Sequence, residues 1–195
     1  MFCCLLLITL LQIVPVAGPE LNEPDVIDEI IYYTDSGEAE FTSSVPLHTF
    51  TGRSGNLTGM IDLEENLIDF YLDLNTLKTG IGRRDRDMYR TLNVDDHPFA
   101  EFTGMFVSQF DESISEPQVA IVEGEFSIHG VTRQIRIEGE LQMQGENLHL
   151  SAEWIILLDD YGIDPPGILF YRVTEEQEVR IEAVLQPYPR EEINP

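Results

Sequence analysis

Hydrophobic and polar positions alternate along most of this chain. The clearest run is Ile68-Asp69-Phe70-Tyr71-Leu72-Asp73-Leu74, in which Ile68, Phe70, Leu72 and Leu74 share one face. A period of two marks a strand with one buried face. The same phase groups Ala39, Phe41 and Ser43, then Phe50, Gly52 and Ser54. Gly55-Asn56 is predicted to turn before a strand over 57–63, and Glu65-Asn66 to turn after it. Phe102, Gly104, Phe106, Ser108 and Phe110 share another strand face, ahead of a polar loop over 111–118. Gly124, Phe126 and Ile128 lead into His129-Gly130, a tight turn whose glycine supplies the positive φ a hairpin needs. Ile135, Ile137, Gly139 and Leu141 follow, then Leu148, Leu150, Ala152 and Trp154 after a turn at Gly145. Val179, Ile181, Ala183 and Leu185 make the last strand.

The alternation breaks once, over Thr79–Pro98. There Met88 and Leu92 stand four apart, the spacing of an apolar stripe on a short helix. Pro98 returns the chain to extended geometry. Eight to nine short strands with one brief helical insert predict an all-β antiparallel barrel or sandwich. A barrel is preferred. Nearly every strand has an apolar face, and glycines within strands at Gly52, Gly104, Gly124 and Gly139 suit sharp coiling or close approach of a ligand. About eight antiparallel strands can close around one small ligand.

Composition narrows the partners. The 195 residues carry 36 acidic against 11 basic side chains, a net charge of −25. Nucleic acid and anionic membrane surfaces both ask for basic protein and are disfavoured. Five of the eleven basic residues, Lys78, Arg83, Arg84, Arg86 and Arg90, nevertheless sit in or beside the insert. The two cysteines, Cys3 and Cys4, lie in an apolar run from Met1 to Val14 that meets Pro15-Val16-Ala17-Gly18. That run reads as a secretory signal peptide over 1–18, too short for a comfortable transmembrane helix. Its removal would leave no cysteine, hence no disulfide. The expected organisation is leader, acidic N-terminal arm over 19–36, β-barrel domain over 37–187 and tail over 188–195; a first strand at Ile30–Thr34 is compatible with the arm.

Several stretches together resemble the YceI-like family, also described as polyisoprenoid-binding or lipid-binding YceI-like proteins. They are GEAEF (37–41), FTGRSG (50–55) running into LTGMID (57–62), LKTG (77–80), Arg84-Asp85, His97-Pro98 before Glu101-Phe102, GEFSIHGVTR (124–133), and DYGI (160–163) with Pro165-Pro166. The resemblance covers about Gly37 to Leu185. It implies an eight-stranded antiparallel barrel of lipocalin-like shape in an exported, periplasmic or secreted protein. It also implies a long isoprenoid or amphiphilic lipid, such as a quinone or polyprenyl lipid, held in an apolar tunnel. No family catalytic motif carries over. The insert here departs from the family in being short and arginine-rich, which leaves the ligand's head group open.

The candidate tunnel lining is Phe50, Phe70, Leu72, Leu74, Phe102, Phe106, Phe126 and Ile128. Periodicity alone fits a filled core equally well. Arg84 is the candidate head-group contact, since guanidinium forks suit phosphate oxygens. The competing reading pairs Arg83, Arg84, Arg86 and Arg90 with Asp85, Asp87, Asp95 and Asp96 on a solvated helix. His48, His97, His129 and His149 show no metal-ligand spacing, and Asp159, Asp160 and Asp164 lack EF-hand spacing, so no metal and no cofactor is expected. No GxSxG, P-loop or GxGxxG motif is present, and the protein is read as a non-enzyme. Rival readings are a structural or partner-binding barrel without a tunnel, and a lipid hydrolase using Asp85 and Asp87. Homodimer formation stays open.

Overall fold

A computed structural model describes residues 30–45, 48–164, 167–168, 171–172 and 174–190. The predicted leader and residues 19–29 of the predicted arm lie outside the described residues.

Eight strands close into one antiparallel barrel. They are β1 (Ile30–Val45), β2 (His48–Asp62), β3 (Leu67–Asp73), β4 (Phe99–Phe106), β5 (Gln118–Ile128), β6 (Val131–Gln144), β7 (Asn147–Leu157) and β10 (Glu176–Pro189). Around the barrel the order is β1-β10-β7-β6-β5-β4-β3-β2. Two short strands, β8 (Gly167–Ile168) and β9 (Tyr171–Arg172), form a separate ribbon. The sixteen residues of β1 reach about 50 Å at roughly 3.3 Å per residue, so the barrel is long.

Antiparallel registers sort the connections into two ends. One end, the mouth, carries the β3–β4 connection with its helix α1 (Gly82–Thr91), the His129-Gly130 turn and the β7–β10 connection. The other end carries the β2–β3 and β6–β7 turns and the β4–β5 loop. Ile61, Leu141, Leu148 and Leu185, all fully buried, floor the barrel at that end. Below them Tyr32 Oη donates to Glu112 Oε2 at 3.1 Å, tying the β4–β5 loop across the base. Asp62 is buried there; it receives Arg190 and the backbone N–H groups of Glu64 and Glu65.

Alternation sets the two faces. In β10, Gln177, Ala183 and Leu185 are buried while Glu178, Arg180 and Glu182 stand in solvent. Apolar-in, charged-out strands are the reverse of a lipid-embedded barrel, which needs an apolar outer band. Gly104 and Gly124 face each other where β4 meets β5. A Cβ on Gly124 would lie 2.3 Å from Thr103 O, so only glycine allows the strands to approach so closely here.

Four boundaries differ from the sequence expectation. The barrel begins at Ile30, not Gly37, because β1 passes through the expected arm boundary and pairs with both β2 and β10. Gly55-Asn56 is no turn: β2 continues, and the register instead slips by one residue there and by one on the β1 side near Asp35-Ser36. The two bulges offset each other and bend the strand pair without losing the inward phase. The strand face extended to Phe110 stops at Phe106; Ser108 leaves the sheet and its Oγ accepts from Ile121 N–H at 2.9 Å. At the far end β10 runs to Pro189, two residues into the expected tail.

Candidate functional site

The barrel encloses a cavity of about 1020 Å³. That is at the upper limit of ordinary ligand pockets, about 300–1,000 Å³. Its origin is a row of directly paired positions running across five neighbouring strands. Ala120 opposes Gly139, Gly139 opposes Ala152, Ala152 opposes Ile181 and Ile181 opposes Ala39. Four of these five side chains are a methyl or nothing, and inward-facing chains this small cannot fill the barrel. Larger groups close the space below, at Leu141 and Leu148, and crowd it above, at Phe126 and Trp154. Phe41, Ala152, Trp154, Val179 and Ile181 line the cavity and are only half-buried. In a filled core the same positions would be sealed.

All eight predicted lining residues stand on this wall: Phe50, Phe70, Leu72, Leu74, Phe102, Phe106, Phe126 and Ile128. Their strands supply half the circumference. The opposite wall, Trp154 on β7 with Val179 and Ile181 on β10, was missed as lining although its alternation was plain in sequence. Phe41 belongs to the same set. A Cβ on Gly52 would fall 2.1 Å from the Phe41 ring, so that glycine seats the ring, which meets Phe50 edge-on at 6.2 Å.

Helix α1 stands at the mouth. Ile81, Arg84, Met88 and Leu92 recur at helical spacing and all line the cavity, so Arg84 occupies a position in an otherwise apolar stripe. Its guanidinium lies 4.6 Å from the Phe50 ring centroid, a cation–π contact. The helix is latched from the Leu77–Thr79 side. Tyr89 Oη donates to Leu77 O at 2.7 Å, and Asp85 Oδ1 accepts from Thr79 N–H at 2.8 Å and Thr79 Oγ1 at 2.6 Å. Those two hydrogen bonds hold the Asp85 carboxyl below its ordinary range, so it is ionised at neutral pH. A structural clamp already ionised at neutral pH is a poor general acid, which counts against the hydrolase reading.

The expected local pairing of the arginines is largely not there. Arg90 meets Asp87 at 3.1 Å. Asp96 instead accepts from Asn93, and Glu40 at the rim takes Arg53. Among the described residues Arg83, Arg84 and Arg86 have no carboxylate within ion-pair distance. Two buried polar atoms on lining residues, Ser43 Oγ and Trp154 Nε1, have no hydrogen-bond partner.

The histidines do other work. His97 and His129 meet edge to face at 6.2 Å, and His129 Nδ1 lies 3.0 Å from Tyr161 O, joining three mouth connections. Among the described residues no three His, Cys, Asp or Glu side chains converge as a metal site. No described helix is long and apolar enough to cross a membrane.

Solved structures share this architecture. One is a polyisoprenoid-binding domain from Saccharophagus degradans implicated in plant cell wall breakdown; it is 17% identical with a TM-score of 0.66, over 81% of this chain and 98% of that one. BcnA of Burkholderia cenocepacia is 11% identical with a TM-score of 0.64, over 76% and 95%. A YceI protein of Campylobacter jejuni is 12% identical with a TM-score of 0.51, over 87% and 91%. Identities this low establish the fold alone. No curated protein sequence matches. The YceI-like domain family matches residues 32–186, from the third residue of β1 to within three of the end of β10, and the chain therefore belongs to the YceI-like domain family.

Proposed function

We propose that this protein binds one long isoprenoid or other amphiphilic lipid in the barrel and keeps its apolar chain out of water. The observation that carries this is the apolar cavity of about 1020 Å³ with a packed floor and a helix-flanked mouth. At the ~30 Å³ that one water claims in the liquid, that volume takes roughly 34 non-hydrogen atoms. Burying a chain of that size is worth about 0.8 kcal/mol per CH₂, so few polar contacts are needed. Phe50, Phe70, Leu72, Leu74, Phe102, Phe106, Phe126 and Ile128 enclose the chain, and Arg84 meets the head group at the rim. The name of the Saccharophagus relative, a polyisoprenoid-binding domain, supports the ligand class. The apolar segment Met1–Val14 with small residues at 17–18 supports an exported protein, periplasmic or secreted. The role is binding and sequestration, with no catalytic step assigned.

Native mass spectrometry of protein purified from its own host, followed by organic extraction, tests this. A co-purifying isoprenoid or other long-chain lipid is the expected result. Protein that carries nothing and takes up no prenyl lipid or quinone would overturn the reading and leave a barrel acting through its outer face.

A further inference from the structure

Between β6 and β7 the barrel is zipped along only part of its height. The two strands pair from Gln144–Asn147 up to Gly139–Ala152 and then stop. Above that, residues 134–138 of β6 keep their pairs with β5, and residues 153–157 of β7 keep theirs with β10. Among the described residues no backbone hydrogen bond joins these two edges to each other. At roughly 3.3 Å per residue the slit is about 17 Å long. Its upper end is spanned from β6 to the turn after β7: Arg133 Nε donates to Asp160 O at 2.9 Å, and His129 Nδ1 lies 3.0 Å from Tyr161 O. We infer that the β7 edge of this slit, over residues 153–157, docks an extended segment of another protein, apolar in its middle and basic at its ends. The inference stands apart from the lipid reading.

Register says which backbone groups are left over. The β6–β7 hairpin turns in two residues and closes on Gln144 and Asn147. Such a hairpin closes on a hydrogen-bonded pair, and the bonded positions then alternate. Asn147, His149 and Ser151 therefore bond to β6, while Trp154 and Ile156 bond to β10. Continuing the same phase, the N–H and C=O groups of Glu153, Ile155 and Leu157 point into the slit. They repeat every second residue, which is the spacing an added strand satisfies. A lipid chain offers no donors in that repeat.

The two edges are guarded unequally. Natural sheets protect free edges with charge, proline or a bulge. The β6 edge has Glu138 and Arg136, the latter paired with Glu123. The β7 edge runs Trp154-Ile155-Ile156-Leu157-Leu158 with no charge, proline or bulge, and turns Ile155 and Leu157 outward, 62% and 42% exposed. Those two side chains ask for apolar neighbours on the docked strand. The surroundings are acidic. Glu153 begins the edge, Asp159 and Asp160 follow it, and Glu176 and Glu178 stand beside Leu157 and Ile155 on β10. The cations nearby are Arg133, Arg136 and Arg180, of which Arg136 and Arg180 already hold Glu123 and Glu182. Basic ends on the docked segment complement this field. A second copy does not, because each chain carries −25.

Amide hydrogen exchange of the full chain, resolved by NMR, reads the edge first. Glu153, Ile155 and Leu157 should exchange at least about tenfold faster than Trp154 and Ile156. Equal protection means the edge is already paired and overturns the inference. A displayed heptapeptide library panned on the full chain then supplies the ligand, with apolar centres and Lys or Arg ends expected to be enriched. A synthetic copy of the best sequence should protect the three edge amides. N-methylating its alternate backbone amides should weaken it at least about tenfold in one phase and little in the other, as strand pairing requires. I155P removes an edge N–H that bonds nothing in the ladder, and I155K keeps the backbone and adds a guarding charge. Each should weaken the peptide at least about tenfold; I155K carries the comparison should I155P lose its fold. V184K places the same charge on the outer face of β10, away from this edge, and should leave binding unchanged. No enriched peptide, or binding indifferent to N-methylation and to I155K, overturns the inference. Protection of the edge amides by geranylgeraniol and by no peptide assigns the slit to the lipid instead, and overturns it too.

Discussion

Substituting Ala152 by phenylalanine separates a hollow barrel from a filled one. Ala152 lies at mid-height on β7, opposite Gly139 and Ile181, and faces the cavity while only half-buried. The new ring adds about six carbons, or roughly 180 Å³ at liquid density, about a sixth of the cavity. A ligand long enough to fill the barrel then loses burial of about six chain carbons. At about 0.8 kcal/mol each, the loss approaches 5 kcal/mol, more than a thousandfold in Kd. A ligand shorter by that length loses little. The fold itself should be unharmed, because the ring enters space that no side chain uses. Calorimetric titration with a prenyl alcohol series reads the first effect, and thermal unfolding of the ligand-free protein reads the second. If the interior is an ordinary core, overpacking should instead cost about 1–3 kcal/mol. At about 2–4 °C per kcal/mol, Tm would drop by several degrees. A lower Tm with an unchanged chain-length profile would refute the hollow-barrel argument.

Other parts of the molecule make independent predictions. Ser43→Ala removes a buried hydroxyl that has no partner and should stabilise the ligand-free protein by about 1 kcal/mol in urea denaturation; destabilisation would mean that Oγ is bonded after all. Arg190→Ala exposes the need of buried Asp62 for its cation and should cost about 1–3 kcal/mol, read as a shift of the urea midpoint. Tyr32 is pushed up to about 12 by burial and by the Glu112 carboxylate. A raised folded value stabilises the protein below the ordinary tyrosine value near 10 and is lost as pH climbs from there towards 12. Burial also pushes Tyr33 and Tyr161 up, so ultraviolet titration should show several late tyrosines, with the component near pH 12 absent in Tyr32→Phe.

Much of this architecture was written in the alternation. The runs around Phe70, Phe126, Ile137, Leu150 and Ile181 each became a barrel strand with those residues inside. The turns at Asn66, His129-Gly130 and Gly145 have positive φ, as their residue types required. What misled was local chemistry overridden by pairing. Gly55-Asn56 has the composition of a turn, but both neighbouring strands continue past it and absorb it as a bulge. Phe110 keeps the phase of β4 while serving a loop that packs against the core. Hollowness was not readable strand by strand, because Leu72 or Phe126 alternates identically whether it faces a ligand or a neighbour. It appears only when registers bring Ala120, Gly139, Ala152 and Ala39 into one row across neighbouring strands. Arg84 stood out in sequence by resemblance; that it interrupts the apolar stripe of α1 was a second, unused signal.

The solid floor has a consequence for traffic. Ile61, Leu141, Leu148 and Leu185 pack the base shut, and the Tyr32–Glu112 and Asp62–Arg190 ties fasten that end. A lipid that goes in tail first must come out head first, through the same opening. Were such a cargo passed on, its donor and acceptor would use that doorway in turn. Delivery by such a vessel is a two-stroke exchange, with a loaded and an unloaded form that never meet both parties at once. Its kinetics would show parallel lines in double-reciprocal plots of transfer rate against donor concentration, where a tunnel open at both ends would permit a relay.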